Sequence, residues 1–193
     1  MNKLNNLSLN CSLLVLTLAM TGCTMTIKPP TKPFTGYAWN TKLNLKVALL
    51  LTDELRKAQI ERKQSGSTFV IPVGPNLCMN AEEMARTLFR EVKVVNKLDS
   101  VDVTSVDGIL TPKFTYGSYM NVAGIIKMKL EWTLTDTKGN PVWAGTASGE
   151  GKKTTSFMYN PEDTVKAAVE ELFKNSHRAV SSAQEIRQFT PRK

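Results

Sequence analysis

Reactive side chains are scarce in this chain. His177 is the sole histidine, which excludes, within one copy, a zinc centre built on two or three imidazoles. The three cysteines are Cys11, Cys23 and Cys78, too few and too scattered for a disulfide framework. No apolar run reaches the roughly 20 residues that a spanning helix requires; Leu13 to Met20 is about half that length. Gly145, Gly149 and Gly151 are closely spaced but lack the GxxxxGK[ST] or GxGxxG context of a phosphate loop. A strand crossed by a helix accounts for them better. No stretch interleaves basic and aromatic residues as nucleic-acid modules do, so nucleic acid is not an expected partner.

The N-terminus is more specific. Lys3 is the only charge before Cys23, and the run Leu13 to Met20 follows it. A positive start, a short apolar core and small residues at the cut site make a secretory signal peptide. Met20-Thr21-Gly22-Cys23 resembles the lipobox of bacterial lipoproteins, in which small residues precede a cysteine that receives lipid on sulfur. Met20 stands where that family usually has Leu, and is apolar with similar volume. The resemblance implies a mature chain that begins at an acylated Cys23 with a blocked α-amine. Each buried methylene contributes about 0.8 kcal/mol, so two or three acyl chains hold stably where one is marginal. Thr24 rather than Asp beside the modified cysteine implies, within the same resemblance, delivery to the outer membrane with the domain facing the periplasm.

Loss of residues 1–22 leaves 171 residues, enough for one domain with a real core. Cys11 departs with the signal and Cys23 is acylated. Cys78 is then a lone thiol in an oxidising compartment, expected to be buried, with an intermolecular bridge as the alternative. Charge is uneven along the chain. Residues 24–63 carry eight Lys/Arg against three acids, residues 64–173 eleven against thirteen, and residues 174–193 five against one. Basic ends beside a lipid anchor suit anionic headgroups, at about 1 kcal/mol per Lys or Arg near the surface; an ordinary solvated surface has the same composition.

Residues 23–42 contain Pro29, Pro30 and Pro33 without a period of 2 or 3.6. They read as a tether, with a reach of about 25 Å if flexible and about 60 Å if extended. Tyr37 and Trp39 are expected to dock back on the domain, residues 43–193, or to sit at the membrane interface. Leu45, Val47, Leu49 and Leu51 mark a strand covered on both faces in its second half. Thr52 or Asp53 would cap a helix from Glu54 to about Lys63, ended by Ser65-Gly66. Thr68–Val73 is a short strand with Pro72 at its end or at a sheet edge. Asn80 and Glu83 have the form of a reciprocal cap for a helix with Ala81, Met84, Ala85 and Leu88 on one face and Phe89 beside it. Val92–Asn96 follows as a strand, and Asp99 to Val106 as a connection.

Asp107–Tyr116 places Leu110, Phe114 and Tyr116 on one strand face. Ile126, Met128, Leu130, Trp132 and Leu134 alternate with Lys127, Lys129, Glu131, Thr133 and Thr135, the clearest strand pattern in the chain. Asp136–Asn140 is a turn, and Val142 to about Lys152 returns as a hairpin partner rich in small residues. Asn160 caps a final helix with Pro161 in its first turn. Its stripe runs Val165, Ala168, Val169, Leu172, Ser176, Ala179, Val180, Ala183 and Ile186, a face made to lie across a sheet. The fold class is therefore α/β (α+β): a mixed β-sheet with two short helices and a long C-terminal helix packed on it.

The chemical inventory is thin. His177 is expected mid-helix, facing solvent or a groove, and nothing in the sequence places it beside Cys78. The acid pairs Glu82/Glu83, Glu162/Asp163 and Glu170/Glu171 fall where helix caps and solvent account for them. No catalytic, cofactor or metal residues are assigned, and no enzyme is expected. The lipobox, the Pro-rich segment and the run VDGILTPKFTYGSYM…IIKMKLEWTLTDTKGNPVWAGTASGEG followed by a helix are similar to YajG-type lipoproteins and, more loosely, to auxiliary lipoproteins of envelope transport and assembly systems. That resemblance implies a non-catalytic accessory or scaffold role. Expected partners are the membrane through Cys23, an envelope protein, and a further copy of the chain. The alternative is a binding module for lipid, glycan or peptidoglycan, using the basic termini or a helix/sheet groove lined by Met128 and Trp132.

Overall fold

A computed structural model describes residues 23–37, 42–64, 66–120, 124–152 and 160–189. Among them the chain makes two mixed sheets and four helices, the α+β class expected, with the strands divided between the sheets. In chain order the elements are β1 (Thr24–Thr26), β2 (Leu43–Leu50), α1 (Asp53–Arg56), β3 (Ile60–Gln64), β4 (Ser67–Ile71), α2 (Gly74–Leu88), β5 (Phe89–Val95), β6 (Gly108–Met120), β7 (Ile125–Asp136), β8 (Pro141–Lys152), α3 (Pro161–Ser182) and α4 (Gln184–Gln188). The smaller sheet has the order β1-β4-β3, the larger β5-β2-β6-β7-β8. Strand β2 is parallel to both its neighbours, while β6, β7 and β8 form an antiparallel meander.

Where side-chain alternation is clean, the expected elements form. Ile126, Met128, Leu130, Trp132 and Leu134 of β7 are all buried and the residues between them are exposed. In β2, Val47 and Leu49 enter the main core. Ala48 enters a second cluster with Val95 and Ile109 on the other face, as a strand covered on both sides requires. The turn after β7 is held by Asp136, whose Oδ1 accepts the N–H groups of Lys138 and Asn140, both at 2.8 Å.

Four local expectations are corrected. The helix expected from Glu54 to Lys63 is a single turn, Asp53–Arg56, capped by the Thr52 hydroxyl. Residues 60–64 instead pair antiparallel with β4 across a two-residue turn in which Gly66 has φ +78. Apolar β4 needs a partner strand, and this turn supplies one at a fixed register. The second helix begins at Gly74-Pro75 rather than Asn80, because proline in the first turn forgoes an N–H that a helix start leaves unpaired anyway. Asn80 lies buried in its interior. Phe89 belongs to β5, which follows α2 without a loop. In β6 the register shifts between Phe114 and Tyr116. The shift reverses facing parity, so Tyr116 is exposed and Tyr119 is buried.

Helix α3 closes the main core across β8 and β7. Asn160 caps it by accepting the Glu162 N–H at 3.0 Å. Trp132 is fully buried, with its ring edge-on to Phe173 and its indole N–H donated to Ser176 Oγ at 3.0 Å; a buried indole requires such an acceptor. The helix backbone lies almost directly on β8. A Cβ added at Gly149 would stand 2.1 Å from the Ala168 carbonyl oxygen, and one at Gly151 2.0 Å from that of Thr164. Neither obstacle is a side chain that could swing aside. Gly151→Ala and Gly149→Ala should each cost about 3 kcal/mol, roughly 10 °C in Tm for a domain of this size. At Gly145 the added Cβ would meet only the Trp143 ring, and Gly145→Ala should cost less than about 1 kcal/mol. Thermal unfolding of the three variants checks the contrast, and equal losses would contradict it.

Candidate functional site

Cys23 is exposed and stands at the head of β1. Its carbonyl accepts the Thr68 N–H at 2.9 Å, and Thr24–Thr26 run parallel to Thr68–Val70. Ile27 donates its N–H to the Val70 carbonyl at 2.9 Å and inserts into the core. Met20, Thr21 and Gly22, the expected signal-peptidase motif, lie outside the described residues, as does Trp39.

The segment expected to be a tether is laid, over residues 23–37, against the domain. Prolines lack N–H groups, so such a segment has few donors of its own and must be held through its carbonyls and the N–H groups it retains. Two amides one helical turn apart on α2 meet this need. Asn76 Nδ2 donates to the Pro30 carbonyl at 2.7 Å, and Asn80 Oδ1 accepts the Phe34 N–H at 2.7 Å. Asn80 Nδ2 is spent on the Asn76 carbonyl at 2.8 Å, which fixes the orientation of its oxygen. Further along, Lys174 Nζ sits 4.9 Å above the Phe34 ring. Phe34 meets Tyr37 edge-on at 5.0 Å, and Tyr37 stacks on His177 at 5.1 Å with 18° between the planes. Tyr37 is therefore a docked aromatic, and His177 is buried beneath it at 8% exposure, a correction to the solvent-facing placement expected for that histidine. Asn76 and Asn80 were missed as functional residues. Their one available signal was two amides at i, i+4 amid Leu77, Ala81 and Met84.

Between this strap and the helices lies a pocket of about 430 Å³, floored by Asn76 and Asn80 and walled by Lys32, Phe34, Lys166, Val169 and Glu170. The two amides are already spent on the strap and on each other, so what the pocket offers a small polar ligand is two ammonium groups, one carboxylate and an aromatic edge. The groove expected between helix and sheet is filled: Met128 and Trp132 are core residues.

The titratable groups are positioned for structure. Burial pushes the Cys78 thiol up, only partly offset by Arg56, which favours the unreactive protonated form. Burial lowers the pKa of His177. The Tyr37 hydroxyl is pushed above its ordinary range by burial and then by Glu83. The acid pairs have structural partners: Glu82 Oε1 accepts from Arg86 Nε at 2.9 Å, Glu162 lies in the first turn of α3, and Glu171 Oε2 accepts the Glu150 N–H at 2.7 Å. Among the described residues no group of His, Cys, Asp and Glu could hold a metal ion, and no helix is long and apolar enough to cross a membrane.

No protein-family model matches the chain, and no curated protein matches it by sequence. Solved structures do. A Xanthomonas campestris protein of the DUF330 family is similar over 83% of this chain and 98% of its own, at 9% identity and TM-score 0.56. A PelC variant from Paraburkholderia phytofirmans, solved as a dodecamer, is similar over 72% of this chain and 94% of its own, at 12% identity and TM-score 0.44. A lipoprotein from Neisseria meningitidis is similar over 64% of this chain and 94% of its own, at 14% identity and TM-score 0.33. At 9% identity, the likeness to the Xanthomonas protein establishes a shared fold and leaves function to the residues of this chain.

Proposed function

We propose that this chain is a non-catalytic lipoprotein domain, held on the periplasmic face of the outer membrane by acylated Cys23, that serves as an accessory or scaffold in an envelope assembly or transport system. The observation that carries the reading is the position of Cys23. It follows the lipobox-like Met20-Thr21-Gly22, is exposed, and opens the first strand. Cys78 and His177, the residues most capable of chemistry, are both buried and act as packing groups. Expected partners are the membrane, an envelope protein, and further copies of the chain. A second reading, a binding module for glycan or peptidoglycan, is favoured by the strap pocket, where Lys32 and Lys166 flank the Asn amides.

Three outcomes check these readings. The wild-type chain should sediment with outer membranes and carry acyl mass on its Cys23 peptide, whereas Cys23→Ser should move to the soluble fraction. Identical fractionation of the two would remove the anchor. If the pocket binds glycan, the chain should co-sediment with purified sacculi at low salt, and Lys166→Glu should weaken that binding; retention independent of the substitution would exclude the pocket.

The third concerns His177. Its folded pKa lies below the ordinary histidine value of about 6.5. The unfolded chain therefore binds the proton more readily, and stability is present above that value and is lost as pH falls through it. Tm should drop between about pH 7.5 and about pH 5.5, still above the usual carboxylate range. His177→Gln should flatten that slope, and an unchanged slope would assign the effect elsewhere.

A further inference from the structure

The distance between anchor and domain is set by hydrogen bonds. The Cys23 carbonyl is already bonded to β4, Thr24–Thr26 are paired, and Ile27 is in the core. No free residue separates the cysteine from the folded domain. Consecutive Cα atoms are about 3.8 Å apart, so β1 lies within one to three residue lengths of whatever holds Cys23.

The neighbouring strands show which end of the molecule this is. Thr24 is level with Thr68, which pairs with Lys63. Cys23 is therefore level with the tip of the β3–β4 hairpin, where Gln64 pairs with Ser67. Strand β3 runs alongside the last part of β6. A Cβ at Gly117 would come within 2.5 Å of Ile60 Cγ1, and Arg62 Nη1 donates to the Tyr119 carbonyl at 2.6 Å. Ile60 lies beside Gly117 and Arg62 reaches Tyr119, so β3 runs toward the Met120 end of β6 and carries its tip to that end. The turn at Asp136–Asn140 closes the opposite end of the β6–β7 ladder, where Gly108 pairs with Asp136. The 13 residues of β6 separate those ends by about 40 Å at about 3.3 Å per residue.

The chemistry of the anchored end suits a lipid interface. Met25 and Met120 are among the few large apolar side chains left in solvent, at 50% and 38% exposure. The ammonium group of Lys63 is exposed at the same end. Apolar side chains flanked by an ammonium group match acyl-chain boundary and anionic headgroup respectively. We propose that this end of the molecule, formed by β1, the β3–β4 tip and the end of β6, is a docking surface for a phospholipid bilayer. It seats the domain directly on the membrane in one orientation, with the Asp136–Asn140 turn presented to the periplasm. This rests on the acylation of Cys23, with the strap bound to α2 taking the place of a tether.

The test uses the full chain, processed in bacteria and reconstituted in phosphatidylethanolamine/phosphatidylglycerol vesicles that contain nitroxide-labelled lipid. A bimane probe is placed at Ser67→Cys or at Lys138→Cys, with the unsubstituted chain as the background for buried Cys78. Quenching at Ser67→Cys should exceed that at Lys138→Cys at least about fivefold, since about 40 Å separates the two ends. A flexible Gly/Ser insert between Cys23 and Thr24 should lower that ratio but leave it above one, and a ratio that falls to one overturns the surface in favour of the short link alone. Lys63→Cys replaces Ser67→Cys if the latter does not fold. Equal quenching at both ends of an acylated chain overturns the docking surface. Intact mass reads acylation independently, and a chain that lacks acyl mass overturns the anchor itself.

Discussion

The close contact between helix α3 and strand β8 is the constraint on which the rest of the molecule depends. Side chains usually hold a helix well above the sheet it covers, but at Gly149 and Gly151 the carbonyls of Ala168 and Thr164 occupy the space a Cβ would need. That approach lets Phe173 and Leu172 reach the buried face of β7 and brings Ser176 Oγ within hydrogen-bond distance of the Trp132 indole. It also sets the height of the opposite side of α3, where Lys174 and His177 receive Phe34 and Tyr37. Strap and pocket are thus referenced to the position of one helix.

The polar groups of the interior follow a common logic. Asn76, Asn80, Ser176 and His177 are buried polar residues of α2 and α3. The amides and the hydroxyl each meet a group that would otherwise be stranded: a carbonyl and an N–H of a proline-rich segment, and an indole N–H. Burying an amide without partners costs on the order of a few kcal/mol, so these residues are tolerated in the core because of what they hold. The imidazole of His177 is covered by an aromatic ring and kept neutral. A core with such uses for its polar side chains has structural specificity.

Much of this was legible in the sequence, for identifiable reasons. Strand β7 and helix α3 as far as Ser182 were read correctly because one face of each is buried, so periodicity reports burial directly. The stripe expected to run on through Ala183 and Ile186 is broken at Ala183, and Ile186 lies in α4. The glycines of β8 were read as a helix crossing because no phosphate-loop context competed. Residues 60–64 were misread because IERKQ carries only one core residue, Ile60, and its charged composition is equally compatible with a helix; pairing to β4 decided the outcome. The start of α2 was misplaced because Asn80 looks like a cap when its long-range partner, Phe34, is not in view. The strap was read as a tether for the same reason. A proline-rich stretch has no period, and only the receptor amides reveal that it is bound.

The stacking of Tyr37 on His177 has a consequence in time. The two rings are about 140 residues apart in the chain, and long-range closures are slow because loop entropy is lost before the contact is gained. Tyr37 has no platform until α3 has been synthesised and laid onto β8. The Tyr37 end of the strap is thus made early in synthesis and secured late, after α3 has packed on the sheet.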